Sequence, residues 1–292
     1  MLNNNITVCI FAFNESTRIL RCIENFKDLF PIIVIDNCST DDMRERLTAA
    51  GHRYKSIKNP GFIETPEVMD KVEAAIDTDY LLIASVSEFI PLSLLQRYAD
   101  VAKSNTHDVV RAFRVSITAG EPIPISGQPR KGFPGELRFY KKGSVDYSGN
   151  QVHDRGRMVC APDRVLNLVT DETCHFYQFR DYDCARTERT HAIYNDVLAK
   201  QKYDAGTRFS WLKMIIYSNK QFLNSYIRFG SWRFGMLGFL HSFYRWHMEI
   251  GIWLRIWEWE NNLSGDGVKD ANNKIRSEFE KKIAEEKEVV LK

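Results

Sequence analysis

Two apolar segments that end in polar residues lie near the start of the chain, and they constrain its fold more than any other feature. The first covers residues 6–11 and runs into Asn14-Glu15, and the second covers residues 32–35 and ends at Asp36. Between them, apolar residues recur at intervals of four, three and four, which places them on one face of a helix. This strand–helix–strand order predicts a mainly parallel α/β sheet, with Asn14 as the N-cap of the helix.

The same alternation continues through the first hundred residues. A strand is expected at 54–57, a helix at 66–76 and an apolar strand at 80–84, which leads into Ser85-Val86-Ser87-Glu88. Ligands of such sheets bind beyond the carboxyl ends of the strands. Asp36 and residues 85–88 are therefore expected at a common binding edge. Farther on, one strand is predicted over 108–115.

Composition limits the class of protein. The 292 residues are 44% hydrophobic and 27% charged, which is typical of a folded chain that buries a full core. The net charge of +2 gives no reason to expect a nucleic-acid partner. Six scattered cysteines without a CxxC pair favour a reduced, cytoplasmic protein. Neither a signal peptide nor an apolar run of about 18 residues is recognised in the sequence.

Aromatic residues are distributed unevenly. All six tryptophans lie within 211–259, where lysines and arginines are interleaved with them. Such a segment fits helices that lie at an anionic membrane surface, because tryptophan favours the headgroup level and basic side chains attract anionic lipid. A tryptophan-rich core or a dimer interface is the alternative. Residues 262–292 are charged, contain no tryptophan and predict a solvated terminal helix.

The segment from Ile6 to Asp42 resembles the nucleotide-binding half of family 2 glycosyltransferases of the GT-A fold. The resemblance implies a Rossmann-like, mainly parallel sheet covered by helices, followed by a helical, aromatic-rich C-terminal region. It suggests a GT-A domain at 1–180, a helical membrane- or acceptor-associated region at 181–261, and a charged tail at 262–292.

The resemblance also assigns a nucleotide site. It implies that Phe13, Asn14, Glu15 and Asp36 flank the base, with Ser85 and Ser87 at the end of a later strand beside them. A carboxylate at a strand end can accept hydrogen bonds from a base or a ribose. The alternative for Glu15 and Asp36 is an ordinary helix-cap or turn role.

Relatives carry a metal-binding Asp-x-Asp where this chain has Ser85-Val86-Ser87-Glu88. Serine hydroxyls are poor ligands for Mg²⁺ or Mn²⁺ compared with carboxylates. No metal cofactor is therefore expected, with Glu88 and His153 as the ligands if Mg²⁺ or Mn²⁺ does bind.

Catalytic candidates come from a second motif. Within a hairpin predicted at 136–154, Arg138-Phe139-Tyr140 leads to His153-Asp154, as in a subset of the family. The resemblance implies Asp154 as the base, with His153 and Glu88 assisting. The remaining candidates for contact with phosphate or acceptor are Arg130, Lys131, Arg138 and His175. Solvated surface is the alternative for the basic residues, and a hydrogen-bonded core position is the alternative for His175.

These features together suggest an inverting glycosyltransferase. It would move a sugar from a nucleotide-sugar donor to a lipopolysaccharide-core-like or other cell-surface glycan or glycolipid, at the cytoplasmic face of the membrane. One alternative is a catalytically degenerate protein that binds nucleotide or glycan. A sugar nucleotidyltransferase is less favoured, because the first strand is not followed by a glycine-rich basic loop.

Overall fold

A computed structural model describes residues 2–59, 62–122, 135–150, 155–180, 184–263 and 265–290, without the side chains of 184 and 288–290. The chain divides into two compact units. The first comprises Met1–Thr187 and Asn224–His241, and the second comprises Glu188–Leu223 and Ser242–Lys292.

The first unit contains the sheets. Its strands are β1 Ile6–Ala12, β2 Ile32–Asp36, β3 Tyr54–Ser56, β4 Tyr80–Ser85, β5 Glu88–Phe89, β6 Val109–Ala112, β7 Arg114–Thr118, β8 Glu121–Pro122, β9 Glu136–Lys141, β10 Val145–Asp146, β11 Arg157–Met158, β12 Val165–Asn167 and β13 Phe176–Arg180.

The α-helices in the described part of the chain are α1 Ile19–Glu24, α2 Met43–Ala49, α3 Pro66–Glu73, α4 Leu92–Ser104, α5 Cys184–Asp204, α6 Trp211–Leu223, α7 Gly235–Glu260 and α8 Asp266–Val290.

Among the described residues, seven strands form the main sheet in the order β12-β6-β9-β4-β1-β2-β3. Pairing is parallel between β1 and both its neighbours, between β2 and β3, and between β6 and β12. Strand β9 runs antiparallel to β4 and β6. The predicted α/β class and mainly parallel sheet are confirmed.

The central strands are apolar on both faces because helices cover both sides of the sheet. Ile6, Val8 and Ile10 of β1 pack in one core cluster with residues of α1, α2 and α4. Cys9 points into the opposite cluster, which includes Val72 of α3. Alternate residues of one strand thus serve two cores.

Three local predictions were wrong. In the described residues the hairpin predicted at 136–154 does not form, because β9 pairs with β4 and β6 while β10 pairs with β11. Helix α1 begins after Arg18, because Asn14 adopts a left-handed backbone with φ of 54° and cannot start a helix. The strand expected at 108–115 is divided at Phe113, where the chain leaves the main sheet. Strand β7 instead joins a four-stranded sheet of order β5-β13-β7-β8 in the described part of the chain.

The second unit is helical. Its core comprises Ala199, Met214, Ile252, Trp253 and Ile256. Across the described residues, no helix has the length and apolar character needed to cross a membrane.

Candidate active site

The ends of three parallel strands meet at one edge of the main sheet. Ala12 at the end of β1 is aligned with Asp36 of β2, and Phe11 is aligned with Ser85 of β4. The loops that follow these strands therefore start side by side, which is where parallel sheets bind ligands.

Asp36 is completely buried at this edge. Its carboxylate accepts hydrogen bonds from the backbone N–H of Ser39 and the hydroxyl of Ser56, both at 2.9 Å. The Nε of Arg44 lies 4.0 Å from Oδ2 of Asp36. These contacts fix the loop after β2, so Asp36 has a positioning role at the edge. A direct contact with a nucleotide stays a prediction.

Asn14 joins the loops that follow β1 and β2. Its N–H donates to Oγ of Ser39 at 2.9 Å, and its Oδ1 accepts from the N–H of Thr40 at 2.8 Å. The N–H of Ser16 donates to Asp41 at 2.9 Å. Because three hydrogen bonds cross between the loops, the loops form one fixed surface.

Glu15 and Phe13 lie on the first of these loops. The Glu15 carboxylate accepts two hydrogen bonds from Arg18, at 2.8 and 2.6 Å, and one from Arg186 at 3.2 Å. Phe13 is exposed and meets Phe62 edge-on, with 5.5 Å between ring centroids. The edge thus presents an aromatic surface beside a carboxylate held by guanidinium groups.

The segment after β4 is occupied by an ion pair. Glu88 accepts a hydrogen bond from the N–H of Ser85 at 2.9 Å, and its other oxygen is paired with Nη2 of Arg138. The carbonyl of Ser87 accepts from the N–H of Phe179 at 2.7 Å. Both oxygens of Glu88 are therefore engaged inside the protein.

This donor set does not fit the divalent cation that the family resemblance implies. Two neutral hydroxyls stand at Ser85 and Ser87, and the carboxylate of Glu88 already holds a guanidinium. A hard dication takes most of its binding energy from carboxylates that are open to it. In the described part of the chain, no group of three or more His, Cys, Asp or Glu side chains could hold a metal ion.

Further charged residues surround the pair and were not among the sequence-based candidates. Arg138 lies 3.4 Å from Glu136, which is also 3.0 Å from Arg114. Arg155 forms an ion pair with Glu64, which precedes α3. These side chains come from separate segments, so no local pattern in the sequence predicts that they lie together.

Burial acts to lower the pKa of Arg114 and of Arg155, whereas neighbouring carboxylates act to raise it. Burial lowers the pKa of Arg114 despite the nearby Glu136. Burial also acts to lower the pKa of Arg155, but Glu64, Glu136 and Glu88 outweigh it, and the pKa is raised. Both groups stay protonated across the range in which the protein would work.

The remaining candidates are placed as follows. His175 is buried, with its Nε2 3.1 Å from the carbonyl of Val169 and its ring against Phe113. His175 thus occupies a hydrogen-bonded core position, which the sequence analysis gave as the alternative to contact with phosphate or acceptor. His153, Asp154, Arg130 and Lys131 lie outside the described residues.

Several solved structures are similar to this chain in fold. TarS of S. aureus matches with 13% identity and a TM-score of 0.44, over 85% of this chain and 54% of that chain. The chain thus spans about half the length of TarS.

Two other solved structures match at similar levels. Glucosyl-3-phosphoglycerate synthase from Mycobacterium tuberculosis, in complex with Mn²⁺ and UDP-glucose, matches with 18% identity and a TM-score of 0.42, over 71% of this chain and 81% of that chain. The mannosyltransferase PcManGT from Pyrobaculum calidifontis, in complex with GDP-Man and Mn²⁺, matches with 12% identity and a TM-score of 0.43, over 82% and 86%.

No curated protein sequence matches the chain. The model of one protein family does match, over residues 7–152, which is half of the chain. This match includes the strand ends and loops that build the edge described above. The chain belongs to glycosyl transferase family 2.

Proposed function

We propose that the protein is an inverting glycosyltransferase that moves a sugar from a nucleotide-sugar donor to a cell-surface glycan. A lipopolysaccharide-core-like acceptor is the form we favour. The observation that carries the proposal is the fixed edge where the loops after β1, β2 and β4 meet. It combines an exposed aromatic ring at Phe13, on which a nucleotide base can stack, with a carboxylate at Glu15 that is held by Arg18.

The chemistry needs a base for the acceptor hydroxyl. In the proposed reaction the acceptor oxygen attacks the anomeric carbon as its proton passes to Asp154, and the bond to the diphosphate breaks. His153 would orient Asp154. A carboxylate has the basicity to take a proton that is already being released by bond formation. Both assignments rest on the resemblance, since these residues lie outside the described part.

A donor screen tests the proposal. UDP-, GDP-, dTDP- and CMP-sugars are titrated by calorimetry with and without Mn²⁺, and the sugar that binds is then used in transfer assays with lipid-linked glycans. Asp154→Asn is expected to abolish transfer while donor affinity is retained. Asp163→Asn, a change at an exposed aspartate, is the control and keeps both. Failure of all four donor classes to bind would refute the proposal.

The alternative function is a catalytically degenerate protein that binds nucleotide or glycan. The observation that favours it is the filled position after β4, where Ser85 and Ser87 replace carboxylates and Glu88 is held by Arg138. Donor binding without transfer, unchanged by Asp154→Asn, would support this alternative.

We extend the proposal to an anionic membrane surface as the place of action. Helix α6 exposes Trp211, Leu212, Ile215 and Ile216, each by more than half of its surface. Lys213 and Lys220 are exposed on the same helix. Apolar side chains punctuated by lysines favour the interface of a bilayer that contains anionic lipid.

Vesicle flotation tests this extension. The protein is expected to float with vesicles of phosphatidylcholine and phosphatidylglycerol. It should not float with vesicles of phosphatidylcholine alone. The double variant Leu212→Asp/Ile216→Asp should lose flotation. Val268→Asp, at an exposed apolar position of α8, is the matched control and should float as the unmodified protein does. Equal flotation of all variants would contradict the extension.

A further inference from the structure

Three arginines and three glutamates at the binding edge make up what we call the Arg–Glu cluster. Its members are Arg114, Arg138 and Arg155 with Glu64, Glu88 and Glu136. Ion pairs join four of them, and the pair of Arg155 with Glu64 interacts electrostatically with those four. The place of the cluster in the fold is fixed by strand register. Glu136 at the start of β9 is aligned with Ala112 at the end of β6, so it lies at the same edge as Ser85.

The centre of the cluster is withdrawn from water. The side chains of Glu88 and Arg138 are 0% and 1% exposed. Arg138 also lies over the ring of Phe176, with 5.6 Å to its centroid. A buried guanidinium keeps its charge only where carboxylates compensate for its lost hydration.

Arg138 nevertheless has unused hydrogen-bond donors. Its Nε and Nη1 are buried and have no hydrogen-bond partner. A buried donor without an acceptor is costly, and such groups in native proteins commonly mark a missing ligand or water. The vacant donors therefore point to an additional acceptor at this place.

Arg114 and Arg155 are the arginines of the cluster that are partly exposed to solvent. Their side chains are 18% and 25% exposed. Arg155 is positioned by more than its pair with Glu64. Asn150 donates to the carbonyl of Glu64 at 2.8 Å and accepts from the N–H of Gly156 at 3.1 Å, which holds the two segments together.

Gly156 makes this arrangement possible. Its φ of 79° is left-handed, and a Cβ at this position would lie 2.4 Å from the side chain of Val145. The backbone next to Arg155 is therefore fixed, and the guanidinium is directed by the chain itself as well as by Glu64.

The charges of the cluster resemble those of a metal site. A dication between two aspartates has no net charge, and three guanidiniums between three carboxylates have none either. Guanidinium groups also present planar pairs of donors that match phosphate oxygens. The cluster can therefore stabilise a diphosphate without a divalent cation.

We infer that Arg114, Arg138 and Arg155 form the binding site for the diphosphate of the nucleotide donor and take the place of a divalent metal ion. Arg114 and Arg155 contact the phosphate oxygens from the solvent side, and the vacant nitrogens of Arg138 gain their acceptors when the anion binds. This inference rests on the proposed function, because it assumes a nucleotide donor.

The test separates the diphosphate from the rest of the nucleotide. UDP, GDP, uridine and guanosine are titrated by calorimetry in the presence of EDTA. The nucleoside diphosphate that binds is expected to bind at least tenfold more tightly than its nucleoside. Arg155→Gln and Arg114→Gln should each reduce its affinity at least tenfold and leave the affinity for the nucleoside unchanged.

Arg157→Gln is the matched control. Arg157 lies two residues from Arg155 and also bridges a carboxylate, but its side chain is 77% exposed and its partner is Asp146. It should bind the diphosphate as the unmodified protein does. Thermal unfolding of each variant checks that the fold is intact, and Arg155→Lys should recover part of the affinity.

Two results would overturn the inference while the proposed function stands. One is a nucleoside diphosphate that binds with the same affinity to Arg155→Gln, Arg114→Gln and the unmodified protein. The other is binding that needs Mn²⁺ and vanishes in EDTA. If neither diphosphate nor nucleotide sugar binds under any condition, the proposed function falls as well.

Discussion

Glu88 and Arg138 form an ion pair that is almost completely buried, between the first residue of β5 and the antiparallel strand β9. The pair stands where the family resemblance leads one to expect an open metal site. Glu88 also accepts a hydrogen bond from the N–H of Ser85. It therefore fixes the backbone of the turn after β4 in addition to compensating the charge of Arg138. The structure thus gives Glu88 a positioning role next to the catalytic role predicted from the sequence.

We expect Glu88→Gln to destabilise the protein by about 3–5 kcal/mol, the usual effect of leaving a buried charge without its partner. Urea unfolding at neutral pH measures the free energy of unfolding. Arg157→Gln, which breaks an exposed pair, is the control and should leave the unfolding midpoint unchanged. Equal effects of the two substitutions would mean that the buried pair contributes little.

A second prediction concerns Asn14, whose backbone is left-handed and whose side chain holds Thr40. Asn14→Gly removes the hydrogen bond but tolerates the backbone, with an expected loss of about 0.5–1.5 kcal/mol. Asn14→Ala removes the bond and adds strain of about 1–2 kcal/mol. Urea unfolding should rank the unmodified protein above the glycine variant and the glycine variant above alanine. The reverse order of the two variants would contradict the left-handed conformation.

The fold was largely predictable because its signals are local. Apolar runs such as Ile6–Ala12 and the polar residues that end them specify strands and the edge at which they meet. Asn14 shows where local signals mislead, since its polar side chain fits an N-cap equally well. The structure instead uses it to join two loops.

The Arg–Glu cluster was not predictable in the same way. Glu88 and Arg138 are 50 positions apart, and Glu64 and Arg155 are 91 positions apart. The family resemblance singled out Glu88 and Arg138 separately, and the other four members look like ordinary charged surface in the sequence. Their pairing depends on the order of the strands in the sheet, which no short pattern in the sequence encodes.

Cysteine reactivity provides a third prediction and a probe of the edge. Burial raises the pKa of Cys9 and of Cys22 to about 12, so both thiols should resist alkylation at pH 8 in the folded protein. Cys38 is exposed on the loop after β2 and should react quickly. Mass spectrometry of iodoacetamide-treated peptides measures each site separately.

The same experiment tests where the nucleotide binds. A bound nucleoside diphosphate should slow the alkylation of Cys38, because the loop after β2 forms part of the proposed pocket. Cys160, which lies beyond β11, is the internal control and should react at an unchanged rate. Protection of Cys160 without protection of Cys38 would move the pocket away from this edge.

A fourth prediction concerns acid stability. Hydrogen bonds from Arg164 lower the pKa of Asp108, so the pair stabilises the folded state while the carboxylate is ionised. This stabilisation is present above the ordinary aspartate pKa of about 3.9 and is lost as the pH falls through the lower folded value. Asp108→Asn should therefore reduce stability at pH 7 and have little effect near pH 2. Urea unfolding of both proteins across pH 2–7 measures this effect. A difference between their unfolding midpoints that stays constant with pH would contradict the prediction.

The last prediction concerns metal dependence. In the unmodified protein neither serine offers a charge and Glu88 is engaged, so added MnCl₂ should not raise the thermal midpoint. The double variant Ser85→Asp/Ser87→Asp places two carboxylates side by side, and Mn²⁺ that binds them should raise the midpoint by mass action. Ser85→Asn/Ser87→Asn matches the size without the charge and should show no rise. A rise in the unmodified protein that EDTA reverses would contradict this prediction, because it would show that the protein binds a divalent metal ion without the two aspartates.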